Sequence, residues 1–243
     1  MWQRPARPSA PEGLRIYAIG DIHGRLDLLD QLLESISRDA SKASNQTTVR
    51  VFLGDYIDRG PDSAGVLAKL IEIQQHDPHA VFLRGNHEQV LLDFLNDPFC
   101  YSRWRQLGGE QTLLSYDVTP PLFEENGALK NVQEAFTLAL PKQQLKFLGM
   151  TKYTHVEGDY LFAHAGIRPH VHFSEQDPKD LMWIREDFLS SSSKFEKIVV
   201  HGHSGKKSPD VRPNRIGIDT LAYKTGTLTA LVLEGTKRRF ITT

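Results

Sequence analysis

Cysteine is almost absent. Cys100 is the single one in 243 residues, which excludes an internal disulfide and leaves no set of thiolates for a zinc site; its plain reading is a small buried hydrophobe. No apolar run approaches the roughly 18 residues of a membrane span. An excess of charge is missing too: 29 Lys and Arg face 30 Asp and Glu, a net charge of -1. No global field therefore draws the chain to nucleic acid or to a membrane surface. There is no internal repeat, and the one low-complexity segment, Ser190 to Ser193, reads as a surface loop. The chemistry must rest on oxygen and nitrogen donors.

What is present is the composition of a soluble globular protein, 40% hydrophobic and 24% charged. Residues 14–243 are long enough to bury a core as one α/β domain. Residues 1–13 carry Arg4, Arg7 and three prolines but no apolar stretch of signal-peptide length, and are expected to be a disordered or loosely tethered arm. The default location is the cytoplasm.

Hydrophobic periodicity predicts strands over 14–19, 49–53 and 80–83. Helical patterns run from Leu26 to Ile36 and from Ala64 to Ile73, and a third helix begins at Glu88. Three strand, loop, helix units imply parallel strands with right-handed crossovers, which puts the three intervening polar loops on one edge. Residues 98–150 change character, with aromatics, Gly108-Gly109 and Pro120-Pro121. They read as an inserted helical cap over that edge. Strand patterns resume at 159–163, 197–200, 215–218, 228–233 and 239–241, and the closing segments suggest an antiparallel or mixed second sheet packed on the first.

The chain's chemistry centres on Gly54-Asp55-Tyr56-Ile57-Asp58-Arg59-Gly60, placed directly after an apolar strand. Open α/β sheets keep their reactive groups at strand carboxyl ends, although this heptapeptide alone fits a turn before a helix capped by Asp62 or Ser63 equally well. Four further motifs decide the matter. Gly20-Asp21-Ile22-His23-Gly24, Arg84-Gly85-Asn86-His87-Glu88, Phe162-Ala163-His164-Ala165-Gly166 and Val200-His201-Gly202-His203-Ser204 also follow predicted strands. A single histidine of this kind is ordinary. Five such strand ends made of Asp, Asn, His and Gly point to a metal centre. On an extended segment Asp21 and His23 would share a side and could grip one ion.

In order and spacing the set resembles the metal-dependent phosphoesterases, specifically the phosphoprotein phosphatase family with its Gly-Asp-x-His-Gly, Gly-Asp-x-x-Asp-Arg-Gly and Gly-Asn-His-Glu signatures. It is most similar to the bacterial serine/threonine protein phosphatase branch, which is related to the diadenosine tetraphosphatases. The resemblance implies two mixed β-sheets packed as a sandwich flanked by helices. It implies Asp21 and His23 on a first metal, Asp55 bridging, and Asn86, His164 and His203 on a second. Two divalent cations are implied, manganese first, with iron or zinc as alternatives. Such a pair lowers the pKa of a bridging water, and the hydroxide attacks phosphorus without a covalent enzyme intermediate. No Cys-x5-Arg loop is present to act otherwise.

His87 is the expected general acid, with Asp58 orienting its ring. Arg59 and Arg84 are expected to fork onto phosphate oxygens, joined by Arg185 of Trp183-Ile184-Arg185. His203 is taken as the ligand and His201 as a supporting residue. Asp219 and Tyr223 lie in a loop close to the site in relatives that carry glycine where this chain has Leu221, so a positive φ there would strain the leucine. His76, His79, His155, His170 and His172 match no motif. The expected substrate is a phosphomonoester, on a protein or peptide phosphorylated at serine, threonine or tyrosine, or a small phosphate ester; the alternative is a dinucleoside polyphosphate, and a catalytically silent binding module is the remaining one.

Overall fold

Alternate residues of the first strand serve two cores. In β1 (Leu14–Ile19), Tyr17 and Ile19 face one apolar cluster, and Ile16 and Ala18 face another. That two-sided demand is typical of a strand buried in the middle of a layered α/β protein. The computed structural model describes residues 7–42 and 45–243. From β1 the chain runs through α1 (Leu26–Ala40), β2 (Thr47–Phe52), α2 (Ser63–His76), β3 (Ala80–Phe82) and α3 (Asn86–Asn96), then through α4 (Tyr101–Leu107), α5 (Gly109–Ser115), α6 (Asn126–Ala139) and α7 (Lys142–Met150). The second part comprises β4 (Thr154–Glu157), β5 (Tyr160–Ala163), α8 (Pro178–Trp183), α9 (Glu186–Leu189), β6 (Ile198–His201), β7 (Asp210–Val211), β8 (Arg215–Gly217), α10 (Ala222–Thr225), β9 (Thr229–Glu234) and β10 (Lys237–Thr242).

Two mixed five-stranded sheets result, in the orders β10-β9-β1-β2-β3 and β4-β5-β6-β8-β7. The β1, β2 and β3 strands are parallel, as are β5, β6 and β8. Ile16, Val51 and Leu231 of the first sheet meet Phe162, Val200 and Ile216 of the second. The outer face of the first sheet is covered by α1, α2, α3 and the helices that follow, and that of the second by Leu181, Ile184 and Phe188. The layers are helix, sheet, sheet, helix. Among the described residues no helix is long and apolar enough to cross a membrane.

Three expectations change. β9 and β10 do not join the second sheet; they extend the first, with β9 antiparallel to β1. Both faces of β9 are apolar, Ala230 and Val232 towards the helices and Leu231 and Leu233 towards the second sheet, as a strand interior to the first sheet requires. The segment 98–150 is not a cap set above the edge. Trp104, Leu113, Val132, Phe136 and Phe147 share one core with Phe52, Phe82 and Phe94, so its helices continue the covering layer and only α4, α5 and the turn between them reach the site. Finally, the expected loose arm is docked from Pro8 to Ala10. Ala10 is buried, its N–H donates to the Gly235 carbonyl, and Ser9 N–H donates to Asp159 Oδ2 at 2.9 Å. Residues 1–6, with Arg4, lie outside the described residues.

Candidate active site

The loops after β1, β2 and β3 are laced together before any ligand is considered. Ile22 and His23 N–H groups donate to the Asp55 carbonyl at 3.0 and 2.9 Å. Helix α3 begins at Asn86, two residues earlier than the periodicity predicts, because Glu88 closes its first turn: its carboxylate accepts from Gly85 N at 2.9 Å. The same carboxylate accepts from Asp55 N at 2.9 Å and Tyr56 N at 2.8 Å, so one acid ties two loops together. Gly54, at φ 102, must be glycine, since a Cβ there would sit 2.5 Å from Gly85 N. Asp62 is the N-cap of α2, accepting from Gly65 N at 2.7 Å.

His23 does not reach the site by extended alternation with Asp21. Its φ is 48, and Asp55, Asp58, Arg59, His203 and Leu221 are likewise left-handed. Non-glycine residues pay roughly 1–2 kcal/mol each for that conformation, and strain gathered in one place marks a functional site. The Leu221 expectation holds, with φ 57 and its side chain against Gly205.

Three imidazoles point the same atom at one carboxylate. His23 Nδ1–H donates to Ile57 O at 2.9 Å, His164 Nδ1–H to Leu53 O at 2.8 Å, and His87 Nδ1–H to Asp58 Oδ2 at 2.7 Å. This leaves their Nε2 atoms 3.7, 3.3 and 3.7 Å from Asp55 oxygens. Donor atoms of His23, Asp55 and His87 lie within 4.8 Å of one another, and so do those of Asp55, His164 and His203. Asn86 Oδ1 is 3.1 Å from His164 Nε2. Asp21 Oδ2 accepts from His203 N at 2.8 Å, while its other oxygen has no partner.

The residues fit a pair of cations. Asp21 Oδ1 and His203 Nε2 are buried with no hydrogen-bond partner, a costly state that a cation removes. Asp21, Asp55 and Asp219 share a buried region; burial, then Asp219, pushes Asp21 well above the usual carboxylate range. Burial followed by His87 depresses His23, and burial followed by His164 depresses His203 to about 2, so both are neutral donors. Burial opposes a charge on His164, yet Asp55 outweighs it and raises that ring to about 10. A proton there balances Asp55 in the role a cation would take. For His87 too, Asp55 and Asp58 outweigh burial, and its pKa is raised.

The remaining candidates divide. Arg59 Nη1 lies 3.1 Å from His23 Nε2 and Nη2 3.3 Å from His87 Nε2, with the guanidinium 4.8 Å from the Tyr223 ring centre. A cavity of about 630 Å³, lined by Arg25, Asp27, Arg59, Asp62 and Tyr223, opens beside it. Arg185 is exposed, and its charge is felt at His203. Arg84 departs from expectation: its donors go to Thr151 Oγ1, Gln89 Oε1, Tyr153 Oη and the Leu148 and Gly149 carbonyls, pinning the end of α7. Those bonds hold its fork against α7 and the residues after it. His201 stays out of the centre, its ring at 5.0 Å from Phe188. His76, His79, His170 and His172 lie on or near the surface, and His155 bonds Glu157.

Four residues that sequence reasoning did not assign to the site touch it: Glu88, Ser63, whose Oγ accepts from Asp58 N–H, and Trp104 and Thr112, which both donate to Asp58. The signal that could have found them is Gly108-Gly109: a Cβ on Gly108 would meet Arg59 at 2.9 Å and one on Gly109 the Trp104 ring at 2.5 Å, so this turn has to be bare to approach the site.

The sequence model of the calcineurin-like phosphoesterases matches residues 14–226. The chain is 26% identical over 235 residues to an asymmetrical bis(5'-nucleosyl)-tetraphosphatase of Oceanobacillus iheyensis, covering 85% of this chain and 84% of that one. It is 39% identical to serine/threonine-protein phosphatase 1 of Salmonella typhimurium, over 87 residues that make up 36% of each. Among solved structures, that of a putative diadenosine tetraphosphatase superposes with a TM-score of 0.64 at 20% identity, covering 95% and 94% of the two chains.

Proposed function

The chain belongs to the calcineurin-like phosphoesterase family, and from that premise we propose that it hydrolyses phosphomonoesters, phosphoserine or phosphothreonine on proteins among them, with His87 as proton donor. The observation that carries the reading is the His87–Asp58 pair. An alkoxide leaves phosphorus poorly unless it is protonated as the bond breaks. This site holds an imidazole with its Nδ1–H fixed 2.7 Å from a fully buried carboxylate, its pKa raised, and Nε2 left to face the centre.

Asp21, His23, Asp55, Asn86, His164 and His203 are the proposed metal donors. Their nitrogen and oxygen set suits manganese, and also iron or zinc. Bound there, the cations supply Lewis acidity to phosphoryl oxygens and acidify water. Asp55 lies near His23 on one side and near His164 and His203 on the other, so it would serve either cation. Arg59, beside His23 and His87, and Arg185, whose charge is felt at His203, are the proposed partners of phosphoryl oxygens as charge shifts onto them. When the P–O bond breaks, the leaving oxygen takes the Nε2 proton of His87 and the ring returns to neutral, still held by Asp58.

A second reading, hydrolysis of dinucleoside polyphosphates, has its own support. Relatives aligned over 84% of their length carry that activity in their names, and Trp183, 6.3 Å from His203 and stacked under Arg103 at 4.4 Å, offers a π-face for a base. With manganese present, the phosphomonoester reading expects a phosphopeptide and p-nitrophenyl phosphate to be turned over faster than diadenosine tetraphosphate; the reverse order would replace it with the second. Replacing His87 with Asn is expected to leave metal content intact and to reduce turnover by about 10²- to 10⁴-fold. Unchanged turnover would remove His87 from the role.

A further inference from the structure

We propose that Trp104 and Thr112, on helices of the 98–150 insert that carry none of the proposed metal donors, are positioning residues that fix the Asp58 carboxylate and through it the His87 ring. The inference rests on the reading of His87 as proton donor. Asp58 is fully buried. Its Oδ1 accepts from Thr112 Oγ1 at 2.6 Å and from Trp104 Nε1 at 3.0 Å, and its Oδ2 accepts from His87 Nδ1 at 2.7 Å with Trp104 Nε1 at 3.2 Å.

The hydroxyl geometry allows one assignment. Thr112 has a single hydroxyl proton and Asp58 Oδ1 is an obligate acceptor, so that proton goes to the carboxylate. Asp58 N–H then donates to Thr112 Oγ1 and Ser63 Oγ, each at 3.0 Å, and in the 2.9 Å contact between the two hydroxyls Ser63 is the donor. Thr112 thus grips Asp58 by both its N–H and its side chain, and holds it at a φ of 72. Trp104 is immobile for a different reason: its buried ring lies 4.8 Å from Phe94 and 5.4 Å from Phe136 and cannot follow a swinging carboxylate. A buried carboxylate stripped of such donors turns to find others, and the imidazole bonded to it turns as well. The insert contributes no group to the phosphoryl transfer itself. It decides whether the Nε2–H of His87 is aimed at the leaving oxygen.

The claim separates from a merely structural role by leaving group, because a dinitrophenolate departs without a proton and an alkoxide does not. In the full-length metal-loaded protein, Thr112→Val is expected to lower kcat on a phosphoserine peptide by about 10- to 100-fold, as loss of a supporting hydrogen bond does. KM should hold, the loss on 2,4-dinitrophenyl phosphate should be much smaller, and Thr112→Ser should restore the peptide rate. Trp104→Phe, which keeps the ring packing and removes only the N–H, gives the same pattern in a second protein in case the valine variant folds poorly. In a His87→Asn background Thr112→Val should cost nothing more. A readout free of metal and turnover is the downfield proton of His87 Nδ1–H in the metal-free protein: slow to exchange in the parent and in Thr112→Ser, fast in Thr112→Val. Equal losses on both substrates, or none on the peptide, overturn the proposal. If His87→Asn shows the leaving-group selectivity and Thr112→Val does not, positioning alone fails; if His87→Asn is itself unselective, the proton-donor reading falls and takes this inference with it.

Discussion

Loops from both sheets meet at the centre, and they are secured in different ways. Those after β1, β2 and β3 are cross-linked to one another: Asp55 O takes two N–H groups from the first loop, and the Glu88 carboxylate takes N–H groups from the second and third. The second sheet delivers less securely. His164 is anchored on Leu53, the residue that follows β2 of the first sheet, and Asp21 of the first loop receives the His203 N–H, while His203 Nε2 has no partner. The first half is a preformed frame and the second sheet supplies imidazoles to it, so the two should differ in how far metal binding and folding can be separated.

The largest expected contrast is between Asp55→Asn and His203→Asn. Asp55 faces both donor clusters and His203 one. Asp55→Asn should empty both metal positions and lower turnover by about 10³-fold or more, the scale of several kcal/mol at about 1.4 kcal/mol per decade. His203→Asn should remove one equivalent of metal and leave the melting temperature of the metal-free protein within about 2 °C, because the lost Nε2 bonds nothing. Elemental analysis showing full occupancy in Asp55→Asn would dissolve the contrast. Glu88→Gln attacks the frame itself. An amide replaces a carboxylate that accepts three buried N–H groups, at a cost of about 2–3 kcal/mol, or roughly 5–10 °C for a chain of this size. A melting temperature unmoved by Glu88→Gln would mean the loops hold without it. The smallest effect sits in the loop after β8, where Leu221 is left-handed and packs on Gly205. Leu221→Gly should relieve strain and lose packing, for a net change within about 0.5 kcal/mol, whereas the β-branched Leu221→Val should cost about 1–2 kcal/mol. Equal melting temperatures for the two variants would show that φ at this position carries no energy.

Much of this frame is legible in the amino-acid order because each motif is contiguous and follows an apolar strand. Asp21, Asp55, Asn86 and His87 could be placed on one edge without coordinates, since parallel strands with helical crossovers leave their carboxyl ends together, whereas His164 and His203, after strands of the second sheet, joined them through the resemblance. What proximity in sequence does not carry is the direction of a long side chain. Arg84 adjoins Gly85-Asn86-His87, yet its four-bond arm reaches Thr151 and the end of α7. Trp104 and Thr112 were hidden by the opposite circumstance. Each is accounted for locally as a helix residue, and its bond to Asp58 spans 46 or 54 positions along the chain. The sequence pattern of β9 points to the wrong sheet because an apolar strand with two buried faces does not say which sheet it completes.

The first turn of α3 has one more consequence. Asn86, His87 and Glu88 occupy successive positions there, a proposed metal donor, a proposed acid and the tie between loops, fanned around a single axis at about 100° per residue. Such a turn works as an index: inserting one residue between Glu88 and the buried Val90 and Leu91 would rotate all three against the core face of the helix at once, whereas a similar change past Asn96, beyond the end of the helix, would leave their bearings alone. Length variation in this protein is therefore most dangerous in the first turn of α3 and in α4 and α5, whose Trp104 and Thr112 hold Asp58.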